Sequence, residues 1–251
     1  MIKIVLLGAG NVGVNLLKAL LKKKGIEVVQ WYNRSPIPYD QAYNKVPTTN
    51  ELNEIVTADL YIISVSDSAI STTAKALENK KGLVVHTAGS VHLSILNQHQ
   101  QQGVFYPLQT FSKQKEVHFS QIPLCLEANS DENLSLLRKV AEGIGCPVHY
   151  INSTQRKALH VAAVFVNNFT NHLYAVGEEL CREHQVSFAV LQPLIEETAD
   201  KIKHLPPSAA QTGPAKRGDQ AILEDHLKHL TKERHQQLYQ LISSSIQQQH
   251  G

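Results

Sequence analysis

The sequence predicts an α/β protein in two parts, a mostly parallel sheet covered by helices on both faces and then an all-α domain. Three observations predict it. Short apolar, β-rich runs alternate with helical stretches as far as Ile151, the alternation that builds parallel strands joined by crossover helices. A glycine-rich turn sits directly after the first of those runs. Beyond Ile151 only helical periodicity remains, so the domains are expected at residues 1–151 and 152–251.

Each element has its own signal. Ile2–Leu7 is a continuous apolar strand, and Asn11–Lys24 reads as a helix with apolar Val14, Leu17, Ala19, Leu20 and Leu21. Ile26–Trp31 is the second strand, and Leu60–Val65, Leu83–His86 and Gly103–Tyr106 are further buried strands. Ile122–Glu127 and Pro147–Ile151 close the sheet around a helix at Asp131–Gly143. Asn152, Ser153 and Thr154 then offer capping side chains, and no Gly follows until 177 and no Pro until 193. This predicts a helix over Thr154–Glu183, roughly 45 Å long at 1.5 Å per residue, as the spine of an all-helical domain. Ser187–His204 is a second helix, stopped by Pro206-Pro207. A Gly/Pro-containing loop, Gln211–Asp219, precedes helices near Gln220–His229 and Thr231–Gln248, and the final glutamines and Gly251 are expected to fray.

Composition narrows the function classes. With 42% hydrophobic residues, 18% charged residues and a net charge of +2, the chain has an ordinary globular balance. Its charges are interspersed, with no basic stripe for nucleic acid. No apolar run reaches the roughly 20 residues a membrane span needs. Met1 runs directly into the first strand, so no signal peptide is expected. Three widely spaced cysteines, Cys125, Cys146 and Cys181, point to a reducing cytoplasm and buried thiols. Of 13 histidines, no pair has neighbours that complete a metal ligand set, and His226 and His229 read as a solvated helix face.

The chemistry begins at Gly8-Ala9-Gly10-Asn11-Val12-Gly13, a dinucleotide fingerprint placed between a strand and a helix. Gly8 makes the tight turn, Gly10 lets backbone approach a pyrophosphate, and Gly13 permits close helix–strand packing. The helix N-terminus, at Asn11 and Val12, adds free N–H groups and partial positive charge. Where NAD-binding proteins place an acid on the adenosine ribose, this chain has Asn33, Arg34 and Ser35; Glu27 lies at the wrong end of the strand, and Asp40 lies beyond Pro36 and Pro38. The missing acid removes repulsion against a 2′-phosphate and Arg34 can bond it, so NADP(H) is the expected cofactor.

Ligands of such sheets sit beyond the carboxyl ends of the strands. Val65-Ser66-Asp67-Ser68 ends one strand and starts a helix that Asp67 or Ser66 can cap. The next strand ends in His86-Thr87-Ala88-Gly89-Ser90, where small Thr87, Ala88 and Gly89 suit a nicotinamide ring against backbone. His86 reads either as a titrating group or as a hydrogen-bonded core residue. Tyr106–Phe111 is a further strand exit, bordering the substrate cleft.

In the long helix, polar His160, Asn167 and Asn168 interrupt an apolar run. At 100° per residue Asn167 falls about 20° and Asn168 about 80° from His160, close enough for either to share a cleft with it. A histidine moves protons near neutral pH and an asparagine holds a carbonyl or imine. Lys157 is the other candidate proton donor, and helix–helix hydrogen bonding is the alternative role for the polar residues. In the distal loop, Thr212 and Arg217 can reach an anionic substrate, or Arg217 pairs with Asp219 while Asp219 caps the next helix.

Together, Gly8–Gly13, Asn33-Arg34-Ser35, His86–Ser90, the helix with His160 and Asn168, and Thr212-Gly-Pro-Ala-Lys-Arg-Gly-Asp219 resemble one bacterial family. Its members join a Rossmann-like domain to a C-terminal helical domain of unknown function, the 2520 type, and are labelled NADP oxidoreductases. More distantly the layout is similar to pyrroline-5-carboxylate reductases, ketopantoate reductases and 6-phosphogluconate dehydrogenases. In those relatives the helical domain dimerises and completes the active site, which implies a homodimer here. The Asn33-Arg34 pair resembles the NADP-selecting turn of the pyrroline reductases. Their Ser-Gly-Pro-Ala-Tyr run is replaced by His160-Val-Ala-Ala-Val, and Val161 stands where the hydroxyacid dehydrogenases have asparagine after their lysine. The expected activity is hydride transfer between NADP(H) and a small carbonyl, imine or hydroxy compound, with His160, Asn168 or Lys157 at the reacting centre and Thr212, Arg217 and Asn167 on the substrate. The alternative is a catalytically silent NADP(H)-binding sensor or scaffold.

Overall fold

β1 (Ile2–Leu7) is apolar on every residue but one, because both faces of the strand are covered. Ile4 and Leu6 pack into one core with Leu16, Leu17, Leu20 and Trp31, while Val5 and Leu7 pack into the other with Tyr61, Ile63 and Ile70. The computed structural model describes residues 1–37, 45–112, 115 and 117–250; Pro38, Asp40 and Gly251 lie outside the described residues. α1 (Asn11–Leu21) follows β1 and returns to β2 (Ile26–Tyr32). After β3 (Thr48–Thr49) and β4 (Leu60–Ile63), α2 (Ile70–Lys75) leads to β5 (Leu83–His86) and β6 (Gln102–Pro107). β7 (Leu124–Ala128), α3 (Asp131–Ile144) and β8 (Val148–Tyr150) complete the sheet.

The strand order is β3-β2-β1-β4-β5-β6-β7-β8, and every neighbouring pair is parallel except β6 with β7. The chain leaves β1 toward β2 on one side and resumes at β4 on the other, so the order reverses between β1 and β4. A crevice beyond the strand ends is the consequence at such a point.

α4 (Ser153–Ala163) starts in a capping box between Asn152 and Gln155. A π segment, Val164–Phe169, follows and α5 (Thr170–Glu183) continues the run. The expected helix is therefore present, with its regular 100° spacing interrupted between His160 and Asn168. The Ser187–His204 expectation resolves into a 3₁₀ turn, Phe188–Leu191, and α6 (Gln192–Lys201), with Pro193 in its first turn. The distal segment is more ordered than a loop: α7 (Pro207–Ala210) and α8 (Pro214–Arg217) are single turns, the second set between left-handed Gly213 and Gly218. α9 (Gln220–His229) and α10 (Glu233–His250) close the chain, and the final glutamines, expected to fray, are helical.

Two compact units result, Met1–Asn167 and Asn168–Gly251. The sequence division after Ile151 marks the end of the strands. The first unit extends beyond it because Ser153 and Arg156, in the first turn of α4, bond to Glu127 of β7. Among the described residues of the second unit only Ala215, Leu223 and His235 are buried. Lys232 joins Glu179 and Glu183, tying the residues before α10 to α5. Among the described residues no helix is long and apolar enough to cross a membrane.

Candidate functional site

The turn after β1 is held from beneath. Gly8 has φ +114°, a left-handed conformation, and a Cβ there would lie 2.2 Å from the Ser64 carbonyl oxygen. Its own carbonyl accepts from Trp31 Nε1 at 3.0 Å, and its N–H donates to the Tyr32 carbonyl at 2.7 Å. A Cβ on Gly13 would meet the Gly8 carbonyl at 2.2 Å, so α1 packs directly on the turn. Gly10 has open space where a Cβ would stand, and no side chain caps α1. The first amides of α1 are therefore available to an anion, with no acid in the first turn to compete.

One cleft of about 790 Å³ gathers most of the expected cofactor residues: Gly8, Gly10, Asn11 and Val12 from the turn, Asn33 and Arg34 from beyond β2, Val65 and Ser66 from beyond β4, and Thr87, Ala88 and Gly89 from beyond β5. Ser35 does not line it. Its carbonyl instead accepts from Asn33 Nδ2 at 2.8 Å, which closes the turn below Arg34. Asn33 Oδ1 accepts from the Ala9 N–H at 3.0 Å, so Asn33 ties the two turns together and Arg34, exposed, supplies the charge. Tyr32 and Thr73, which belong to no motif, also line the cleft, as does Asp67, expected only as a cap. These amides, the open Gly10 face and the Arg34 cation fit a phosphorylated dinucleotide.

Beyond β4, Ser66 stands at the cap position of the Asp67–Ala69 turn and makes no side-chain cap bond. Asp67 accepts from the Ser90 hydroxyl, linking this turn to the segment after β5. His86 is fully buried, and its Nδ1 accepts from the Ala88 N–H at 3.2 Å. Burial, with the Arg156 cation adding to it, lowers the His86 pKa to about 3, so His86 is a neutral core residue.

His160 takes its place through residues the sequence did not single out for it. Tyr106, at the exit of β6, has its hydroxyl 3.2 Å from His160 Nδ1. Arg156, one turn earlier on α4, is fully buried and pairs with Glu127. It also donates to the Val91 carbonyl at 2.6 Å and to Ser153 Oγ at 3.1 Å. Removing one partner of such a buried pair costs about 3–5 kcal/mol. The spacing Ser153, Arg156, His160 on one helical face was the available signal. Lys157 and Asn167 are exposed.

Asn168, Thr212 and Arg217 belong to the second unit. Asn168 is exposed in the π segment. Thr212 lines an apolar groove of about 340 Å³ with Leu173, Val176, His235 and Ile242. Arg217 is exposed outside that groove, and Asp219 caps α9 at 3.5 Å from the Ile222 N–H.

The family models that match the chain divide it elsewhere, before β7. A Rossmann-like domain model matches residues 1–110, and the domain of unknown function DUF2520 matches residues 122–246. No curated protein matches the chain. Among solved structures, the chain is similar to a "putative NADP oxidoreductase" from Bacteroides fragilis at 43% identity, covering 98% of each chain with a TM-score of 0.90. A protein from Thermotoga maritima is 23% identical over 98% of each chain, with a TM-score of 0.74. An imine reductase from a Pseudomonas species is 17% identical over 98% of this chain and 94% of its own, with a TM-score of 0.70; at these lower identities the likeness is one of fold.

Proposed function

This chain belongs to the family that joins a Rossmann-like domain to the DUF2520 domain, and we propose that it is an NADP(H)-dependent oxidoreductase acting on a small carbonyl, imine or hydroxy compound. One observation carries the proposal: an uncapped α1 N-terminus and an exposed Arg34 face the same cleft, with no acid in the Asn33-Arg34-Ser35 turn after β2. The name of the 43% identical Bacteroides fragilis protein supports it.

NADP(H), when bound, supplies or accepts a hydride at its nicotinamide. The chain's own residues bind and orient. The α1 amides and the open Gly10 backbone take the diphosphate, and the Arg34 guanidinium takes the 2′-phosphate by charge-assisted hydrogen bonds. Ser66 and the backbone of Thr87–Gly89 form the wall for the nicotinamide. His160 gives or takes the substrate proton.

The proposal extends to a homodimer through the second unit. Val190, Leu194 and Ile202 are 69%, 62% and 54% exposed in a unit with very few buried side chains, and a second copy of the chain would cover them.

The test is NADPH consumption over a panel of imines and small carbonyls. Turnover is expected with at least one member, with a loss of about 100-fold or more in His160→Ala. NADPH binding without turnover across the panel would instead favour a sensor or scaffold.

A further inference from the structure

We propose that Tyr106 is a positioning residue that holds His160 in the tautomer protonated on Nε2, so that Nε2–H is the hydrogen-bond donor presented to the substrate. This rests on His160 standing at the reacting centre of the proposed reaction. The observation behind it is a hydrogen bond between two side chains brought from distant parts of the first unit, with a glycine of the cleft wall lying directly against it.

Tyr106 lies next to last in β6, opposite Cys125 of β7, and is 9% exposed. Its ring meets that of His160 edge-on, at 71° between planes, and the hydroxyl lies 3.2 Å from Nδ1. Either atom can donate in such a pair, so their chemistry decides. An imidazole nitrogen is a much stronger base than a phenol oxygen, and a phenol O–H is a better donor than a neutral imidazole N–H. Burial pushes the Tyr106 phenol up to about 12, so it keeps its proton at neutral pH. The favoured bond is therefore Tyr106 O–H to Nδ1. A neutral imidazole that accepts at Nδ1 carries its proton on Nε2.

Two features hold this geometry. One turn before His160, Arg156 binds the Val91 carbonyl and the Glu127 carboxylate, while the Leu93 N–H donates to Ser153 Oγ at 3.0 Å. α4 is thereby fastened to the segment after β5. On that segment, a Cβ at Gly89 would lie 2.7 Å from His160 Nδ1 and 2.8 Å from the Tyr106 oxygen. Only glycine lets the cleft wall lie this close to the bond. Gly89 also lines the nucleotide cleft, so one residue borders both the expected nicotinamide position and His160.

Nitrogen-15 NMR of histidine-labelled protein without nucleotide tests this, with His160 assigned by loss of its signals in His160→Gln. At a pH where the ring is neutral, wild type should show a bare Nδ1 and a protonated Nε2. In Tyr106→Phe, which removes only the hydroxyl, the Nδ1 resonance should move to the position of an unbonded ring nitrogen. Gly89→Ala should move it too, with the phenol retained. A protonated Nδ1 in wild type, or an unmoved Nδ1 resonance in Tyr106→Phe, would overturn the proposal. The measurement uses neither cofactor nor substrate, so it is read separately from any failure of the oxidoreductase assignment.

Discussion

His86 shows what a polar side chain undergoes when a strand end is fully buried. With its pKa lowered from 6.5 to about 3, the folded chain declines a proton that the unfolded chain accepts as pH falls through 6.5. Stability is therefore complete above that pH and is lost progressively between about 6.5 and 3, by at most about 1.4 kcal/mol per pH unit from this residue. His86→Asn keeps an acceptor for the Ala88 N–H and removes the titration, so urea unfolding from pH 7 to 4 should show a shallower decline. An unchanged slope would contradict the assignment of His86 as a neutral core residue. The sequence allowed His86 either role; only the burial and the bond to Ala88 decide between them. The place of Arg34 at the cleft was legible because it follows the second strand of a βαβ unit, whereas Tyr106 needed a contact across 54 residues.

At the scale of elements, the turn between β1 and α1 was readable in the sequence because its glycines answer to local sterics. Gly8→Ala adds a methyl both at φ +114° and within 2.2 Å of the Ser64 carbonyl, and Gly8 itself lines the cleft. NADPH affinity should fall by at least tenfold in that variant, measured by fluorescence titration; wild-type affinity would show that the turn is not the diphosphate site. The strands of the sheet were readable as apolar runs bounded by turns, except β3, whose two threonines give no such signal. The π segment was not, since a regular helix and one with an inserted residue share the same apolar pattern across Val164–Phe169. The 20° and 80° offsets expected for Asn167 and Asn168 depend on that regularity and do not carry over. Likewise, turn residues at Gln211–Asp219 announced a loop, while the single helical turn of α8 within it is too short to leave a periodic signal.

Across the whole molecule, the order of a sheet part followed by a helical part was visible in composition, because strands and helices bury apolar residues with different periods. The division between units at Asn167 and Asn168 was not, because it falls inside a helical run with no Gly or Pro to mark it. The second unit's exposed apolar side chains carry the proposed dimer. Light scattering should give a mass of two chains for wild type and of one, 27.9 kDa, for Leu194→Glu; a monomeric wild type would contradict it. Selection of NADP(H) through Arg34, as proposed, is measured by paired fluorescence titrations with NADPH and NADH. NADPH should bind more tightly, and Arg34→Ala should weaken it by about tenfold to a hundredfold, toward an unchanged NADH value. Equal affinity for the two nucleotides in wild type, or binding of neither, would contradict the account.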